Sequence, residues 1–471
     1  MQSQYNAPEK DMAKTEESLS EELPRGVIAR GIAVSGFGNF ILYFINFSTA
    51  IIILRWLTLY EYGVYRLILA VYDFAAGFYL GGLENVVISD ASANFKKNTR
   101  ESKSIVSVYV LFVAFVSLIL ISIFFFFTKL TGSWLGEGAK FIYVFFILFA
   151  MEPITALYRI SFQIFLDFNW KALNKILRDV LRLATLGIFF MTGSVGIRGA
   201  LWGWVVSVCA PILLNIIFYQ GKNLFTIPSI KEIKSVLKIL FLKHGAWAMF
   251  DDFLQNVGKN IRPFVIKFFV GIEAVSLFSA AQSLVSYTTS IFPIREVLIP
   301  VFPRYLDRPI HLTANINRAM KYSILIYSFI AIISAIFAPI LSYLFFPKYI
   351  PSMPLFYILL LGVPVTGLRS VILPALYSLK AQRVLFNLTA LRTVSVIVFG
   401  IVLTYFFGIW GATIEATLIG YIITAPFIKS LQSLIPQWKF SLRNIFQFDS
   451  YDRLFAIKIK DRITGMVKKC F

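Results

Sequence analysis

Charge is the scarcest property of these 471 residues: 15% are Asp, Glu, Lys or Arg, against 58% that are hydrophobic. A water-facing surface of that size needs the reverse balance, which excludes an ordinary soluble fold. Cysteine is limited to Cys209 and Cys470, and histidine to His244 and His311. No disulfide framework, zinc-ligand spacing or His-centred catalytic triad can be assembled from so few groups. No Gly-rich phosphate loop or Walker pair occurs, and no insert is large enough for an enzyme domain, so neither catalytic residues nor a cofactor or metal site is expected. Acidic residues are short too, 25 against 45 basic ones, for a formal charge of +20. The cations lie in short loops between hydrophobic runs rather than on a compact basic domain, which argues against nucleic acid and for anionic membrane lipid as the partner.

What fills the chain instead is a series of hydrophobic runs of about 20 residues, each long enough for a hydrocarbon core of roughly 30 Å. About twelve can be drawn, and they lack the alternation of barrel strands. The expected fold is therefore all-α and polytopic, because backbone groups in lipid must be bonded within their own segment. The spans run 31–54, 64–87, 105–127, 141–165, 173–191 and 199–219, then 245–270, 274–297, 322–346, 355–379, 384–407 and 409–431.

Loop charges set the orientation. The even-numbered loops carry Lys96, Lys97, Arg100 and Lys103; Lys171 and Lys175; Lys222, Lys231, Lys234, Lys238 and Lys243; Arg304, Arg308 and Arg318; Lys380 and Arg383. The odd-numbered loops hold isolated cations such as Arg55, Lys129 and Lys348. The positive-inside rule places both termini in the cytoplasm, with Trp56, Trp134, Trp202 and Trp410 near the opposite interface. Residues 1–29 read as a polar cytoplasmic tail, 30–220 as an N-terminal six-helix lobe, 221–243 as an amphipathic cytoplasmic linker, 244–432 as a C-terminal six-helix lobe and 433–471 as a basic cytoplasmic tail.

The two lobes echo one another. Glu61 in the stretch Leu57 to Tyr65 and Glu273 in Gly271 to Phe278 are 212 positions apart, as are Gly196 of Gly-Ile-Arg-Gly-Ala and Gly408 of Gly-Ile-Trp-Gly-Ala. Six spans per repeat is even, so the halves enter the membrane in the same sense, as parallel repeats enclosing a central cavity.

The hydrophobic pattern fails most clearly in the seventh span, with Asp251, Asp252, Gln255, Asn256, Lys259, Asn260 and Arg262. Asp252, Gln255, Asn256, Lys259 and Arg262 advance by three and four, which puts them on one helical face. A charge at the bilayer centre costs about 2.5 to 3.5 kcal/mol, so this stripe belongs against a wet cavity or in pairs one turn apart such as Asp252 with Asn256. Asp73 and Glu84 in the second span and Gln282 and Arg295 in the eighth are further cavity candidates. For Glu152, Arg159, Asp179, Arg182, Arg369, Arg392 and Glu415, packing or snorkelling is the expected role. Pro263, Pro293, Pro300, Pro339, Pro354, Pro364 and Pro374 mark kinks or hinges in the second half.

The Leu57 to Tyr65 segment resembles the Leu-Thr/Ser-x-x-x-Tyr/Phe-Gly-x-Tyr/Phe pattern of the Wzx-type polysaccharide or O-antigen flippases, within the multidrug/oligosaccharidyl-lipid/polysaccharide exporter superfamily. Gly82-Leu83, the Gly196 to Gly203 stretch and Gly271 to Ala281 are similar to further family segments, and the resemblance covers residues 31–431. It implies two lobes around a cavity lined by helices one, two, seven and eight. It also implies an oligosaccharide on a polyprenyl (pyro)phosphate, flipped from the cytoplasmic to the outer leaflet of the cell membrane by alternating access. Lys259 and Arg262 stand on the helix whose cations would meet the phosphate. Unlike the pattern, the first helix offers Asn39 and Asn46 but no central cation, and Asp251 and Asp252 add negative charge. A coupling ion, H+ or Na+, and other glycan-assembly membrane proteins complete the implied partners. An ion-coupled multidrug exporter on the same scaffold and a peptidoglycan-precursor flippase are the alternative readings.

Overall fold

The computed structural model describes residues 42–441 except 80–82, 85, 89, 92–98, 127–139, 166, 193–194, 220–224, 240–245, 291, 293, 307–308 and 380. The N-terminal tail, the first part of span one with Asn39, most of the C-terminal tail with Cys470, and Gly82, Lys96, Lys97, Lys129, Trp134, Lys222, Lys243, His244, Pro293, Arg308 and Lys380 lie outside the described residues.

The described residues are helical and contain no strand. In chain order they form α1 Leu42–Trp56, α2 Leu59–Ala76, α3 Thr99–Phe126, α4 Ile142–Ile164, α5 Phe168–Met191 and α6 Ala200–Phe218. The short linker helix α7, Ile230–Ile239, follows. Then come α8 Ala246–Phe269, α9 Ile272–Ser290, α10 Ile294–Val301, α11 Pro309–Phe345, α12 Met353–Leu360, α13 Val363–Ser378 and α14 Gln382–Leu434. Five of these are by themselves long and apolar enough to cross a membrane, and α12 with α13 make a sixth such stretch bent by 47°. Apolar side chains turned outward on α3 and α11, such as Phe115, Leu118, Phe329 and Ile332, are more than half exposed, the surface a hydrocarbon solvent requires. The chain is a multi-pass membrane protein.

Local chemistry explains the ends. Thr58 caps α2: its hydroxyl accepts from the Glu61 amide at 3.1 Å, and the Glu61 carboxylate accepts from the Thr58 amide at 2.8 Å. Ser229 and Glu232 repeat the device at α7, with bonds of 3.3 and 2.7 Å. That linker helix lies on α3 through an ion pair of Arg100 with Glu232 at 3.4 Å, and the Thr226 amide just before it donates to Ser107 Oγ at 2.8 Å. Ile227 and Ile230 remain outward.

Five expected spans differ in outline. The ninth is the end of a 37-residue helix. The eighth stops at Ser290, and a separate helix begins at Ile294. The tenth is broken at Leu361–Gly362, where Pro364 has no amide to bond the carbonyl of Leu360. Spans eleven and twelve form one 53-residue element folded back at Gly408, whose φ of 58° and ψ of −138° leave the helical region.

Helix starts follow the repeat. Ile272 of α9 lies 213 positions after Leu59 of α2, Pro309 of α11 210 after Thr99, Met353 of α12 211 after Ile142, and Gln382 of α14 214 after Phe168. Gly196, 212 before Gly408, also leaves helical geometry, in the wide turn Val195–Gly199.

The chain groups into two compact units, one holding the residues up to Ala280 with Ser342–Pro351, the other Ala281–Leu341 and the chain from Ser352. In the first unit α3 packs on α4, α5 on α6, α4 on α6, and α2 on α8; in the second α13 packs on α10 and α14, and α12 on α14.

Candidate functional site

The polar seventh span is α8, and its neighbour is α2. A Cβ on Gly77 would lie 3.2 Å from the Cβ of Asn256, and one on Gly63 would lie 2.3 Å from the carbonyl oxygen of Ile272, just past α8. Phe253 meets Phe78 at 5.1 Å between ring centroids and Phe74 at 6.5 Å. The index falls along α2 as it rises along α8, so the helices are antiparallel neighbours over their length. Only glycine permits the approach at Gly63, since any side chain would strike backbone.

This pairing brings Asp73 into the fields of Lys259 on α8 and of Arg66 two turns back on α2. Lys259 is exposed, and the Nε of Arg66 is buried with no hydrogen bond among the described residues. Two cations thus act on one carboxylate where α2 and α8 pack together. Elsewhere on α8 the groups bond one turn apart, Gln255 to Asp251 at 2.7 Å and Asn256 to Asp252 at 3.4 Å. Arg262 is buried on the same helix.

Glu84 belongs to a second cluster. The Arg159 guanidinium on α4 donates through Nε to Glu84 Oε1 at 2.8 Å and through Nη2 to Oε2 at 2.6 Å, a bidentate pair. Its Nη1 and Nη2 also reach Glu152 Oε1, each at 3.3 Å. In the same unit Asn46 Nδ2 donates to Asp179 Oδ2 at 2.8 Å, and Arg182 Nη2 to the Tyr65 hydroxyl at 2.5 Å. Gln282 and Arg295 fall in the second unit, where Arg295 sits 5.6 Å from the Tyr377 ring centre and donates to its hydroxyl at 3.4 Å.

Sequence reading passed over Arg66, one cation among several near a loop, although its i+7 spacing to Asp73 was available. It also gave no role to Lys348, whose Nζ donates to the carbonyl of Arg55 at 2.9 Å and to that of Leu57, closing the end of α1. Burial pulls this amine below the ordinary lysine value while Glu61 pulls it back up. Beside it the Tyr349 ring stands edge-on to Tyr62 at 5.6 Å. No group of three or more His, Cys, Asp or Glu suited to a metal ion occurs among the described residues.

A family profile described as polysaccharide biosynthesis protein matches residues 28–306. The chain belongs to that family. No curated protein is matched at the level of sequence. Solved structures match by fold. An inward-facing multidrug resistance MATE family transporter of the MOP superfamily aligns with a TM-score of 0.69 at 15% identity, over 84% of this chain and 94% of its own. The lipid II flippase MurJ, in an inward closed conformation, aligns with a TM-score of 0.69 at 15% identity, over 92% and 93%. The Vibrio cholerae MATE transporter VcmN aligns at 0.59 and 16% identity, over 88% and 98%. The family member thus has the fold of the MOP-superfamily transporters, as the resemblance of its motifs implied.

Proposed function

We propose that this protein is a flippase that turns a polyprenyl-(pyro)phosphate-linked oligosaccharide from the cytoplasmic to the outer leaflet of the cell membrane, for surface polysaccharide synthesis. The observation that carries the reading is the α2–α8 pair, which brings Lys259 and Arg66 within the field of Asp73 in a chain of the polysaccharide biosynthesis family. A diphosphate cannot enter hydrocarbon unaided, whereas a polyprenyl tail never has to leave it. Cations on membrane helices answer the first need, and Asp73 keeps them compensated until the phosphate arrives. Two six-span lobes with cytoplasmic termini, alternately open to the two faces, are the working parts. A coupling ion and neighbouring glycan-assembly proteins are the partners this reading implies.

A second reading, an ion-coupled exporter of cationic drugs, is favoured by Asp73 together with the MATE fold. Expression in a flippase-deficient strain separates the two. Lys259→Glu is expected to lower surface glycan about tenfold or more, since like charges facing one another cost several kcal/mol, and lipid-linked glycan accumulates inside. Normal surface glycan with altered efflux of a cationic dye would overturn the flippase reading and leave the exporter.

A further inference from the structure

Glu84, Glu152 and Arg159 meet beside α4, within reach of the field of Arg178 on α5, and the carboxylates of this region are unequally paired. Glu84 takes the short bidentate bonds of Arg159, and Arg178 sits 3.4 Å from its neighbour Asp179, which Asn46 also holds. Glu152 keeps only the 3.3 Å contacts to one oxygen, and its Oε2 accepts no bond among the described residues. Its side chain is 15% exposed. In a medium of low dielectric the odd carboxylate is the one that must find a counter-charge.

Position sharpens the point. Glu152 stands ten residues into α4 from Ile142, about 15 Å along the helix axis and so near the middle of a roughly 30 Å core. One turn earlier an aromatic plug begins: Phe149 stacks with Tyr72 at 5.3 Å and meets Tyr79 at 6.2 Å and Phe124 at 5.7 Å, with Phe145 beside them. Phe145 and Phe149 are fully buried. Two turns later the Arg159 side chain is 41% exposed. In the proposed orientation the plug lies on the outer-face side of Glu152 and the exposed Arg159 on its cytoplasmic side. The groups whose fields reach this cluster are Tyr72, Asp73, Tyr79 and Glu84 from the second span, Tyr109 from α3, Arg159 from α4, Arg178 from α5 and Asp252 from α8.

We propose that Glu152 is a proton-carrying site of this protein, loaded from one side of the membrane and neutralised by proton uptake while Glu84 retains Arg159. The inference rests on the transporter reading and supplies its coupling ion. Uptake forms one O–H bond at a carboxylate oxygen of Glu152 and removes one negative charge; release returns the proton to water. The guanidinium already occupies both oxygens of Glu84 and one of Glu152, which leaves a single free carboxylate oxygen, enough for a proton but few ligands for a sodium ion.

The test needs no transport substrate. Infrared difference spectra of the purified protein in liposomes are expected to show the carbonyl stretch of a protonated carboxyl that fades as pH rises and is absent from Glu152→Gln. Glu84→Gln frees Arg159 for Glu152, so the band is lost at a pH where the unaltered protein still shows it. Circular dichroism and gel-filtration profiles check that both variants fold. A band that persists in Glu152→Gln, no titrating carboxyl at all, or a band abolished at fixed pH by sodium chloride but not by choline chloride would each overturn the proposal. Complementation by the unaltered protein in the flippase-deficient strain reports separately on the transport reading.

Discussion

The fourth span and its counterpart 211 positions on begin alike and end differently. Pro153 lies inside α4, and Pro364 occupies the corresponding place in the second half. Yet α4 continues as one helix, whereas its counterpart breaks at Leu361–Gly362. Where α4 carries Glu152 and Arg159, the second half has Val363 and Ser370. Each copy of the span meets lipid in its own way. The first places charge inside and pairs it across helices. The second frees backbone carbonyls and satisfies them from α14: Thr417 Oγ1 donates to the carbonyl of Ile358 at 2.9 Å and the Tyr421 hydroxyl to that of Leu361 at 2.6 Å. Positions 212 earlier hold Val205 and Cys209, which offer no hydroxyl. The twin spans have thus diverged, one copy carrying ionisable groups and the other a bend.

The repeated Gly-Ile-x-Gly-Ala turns offer the sharpest way to break this comparison. A Cβ on Gly411 would lie 1.8 Å from the Leu403 carbonyl oxygen, while one on Gly199 would lie 3.0 Å from a side-chain atom of Phe189. Backbone cannot yield as a phenyl ring can. Gly411→Ala is therefore expected to destabilise the folded protein by about 3 kcal/mol or more, and Gly199→Ala by about 1 kcal/mol, read as midpoints of thermal unfolding in detergent. Equal losses would show that the two turns are packed alike.

A smaller effect is expected at the break. Thr417→Val and Tyr421→Phe should each lower stability by about 1 kcal/mol, the net worth of a hydrogen bond, and raise hydrogen exchange near Leu361–Gly362. Val205→Thr, at the matching place, should gain nothing, because α4 runs on as a helix past Ile147, the residue that matches Ile358. A gain from Val205→Thr would dissolve the contrast.

The smallest effect lies in the linker between the halves. The Ser229 amide and hydroxyl, and then Arg100, hold the Glu232 carboxyl below its ordinary value. A lowered carboxyl gives stability that is present above its unfolded value and lost as pH falls through the folded one. Hydrogen exchange in residues 229–239, corrected for its intrinsic rate, should therefore rise only below the ordinary carboxylate range. Glu232→Gln should flatten that dependence, and an unchanged profile would remove the cap from the account.

Hydropathy and loop charge sufficed for helices, membrane and near boundaries, because lipid imposes its demand on each span locally. The offset of 212 between Gly196 and Gly408 was equally legible, since a turn between two membrane helices keeps its glycines where the backbone leaves helical geometry. The polar stripe of α8 could be read from its spacing, and so could its alternatives, cavity or pairs one turn apart. Spacing could not choose a neighbour for it. That α2 lies along α8, that Lys259 reaches the field of Asp73, and that Arg159 takes Glu84 tightly depend on helix contacts between residues 75 to 186 positions apart. The sequence by itself determined which groups had to be hidden from lipid; packing alone decided which of them hide together, because the energy of a buried charge depends on the partner a fold places within a few ångströms of it.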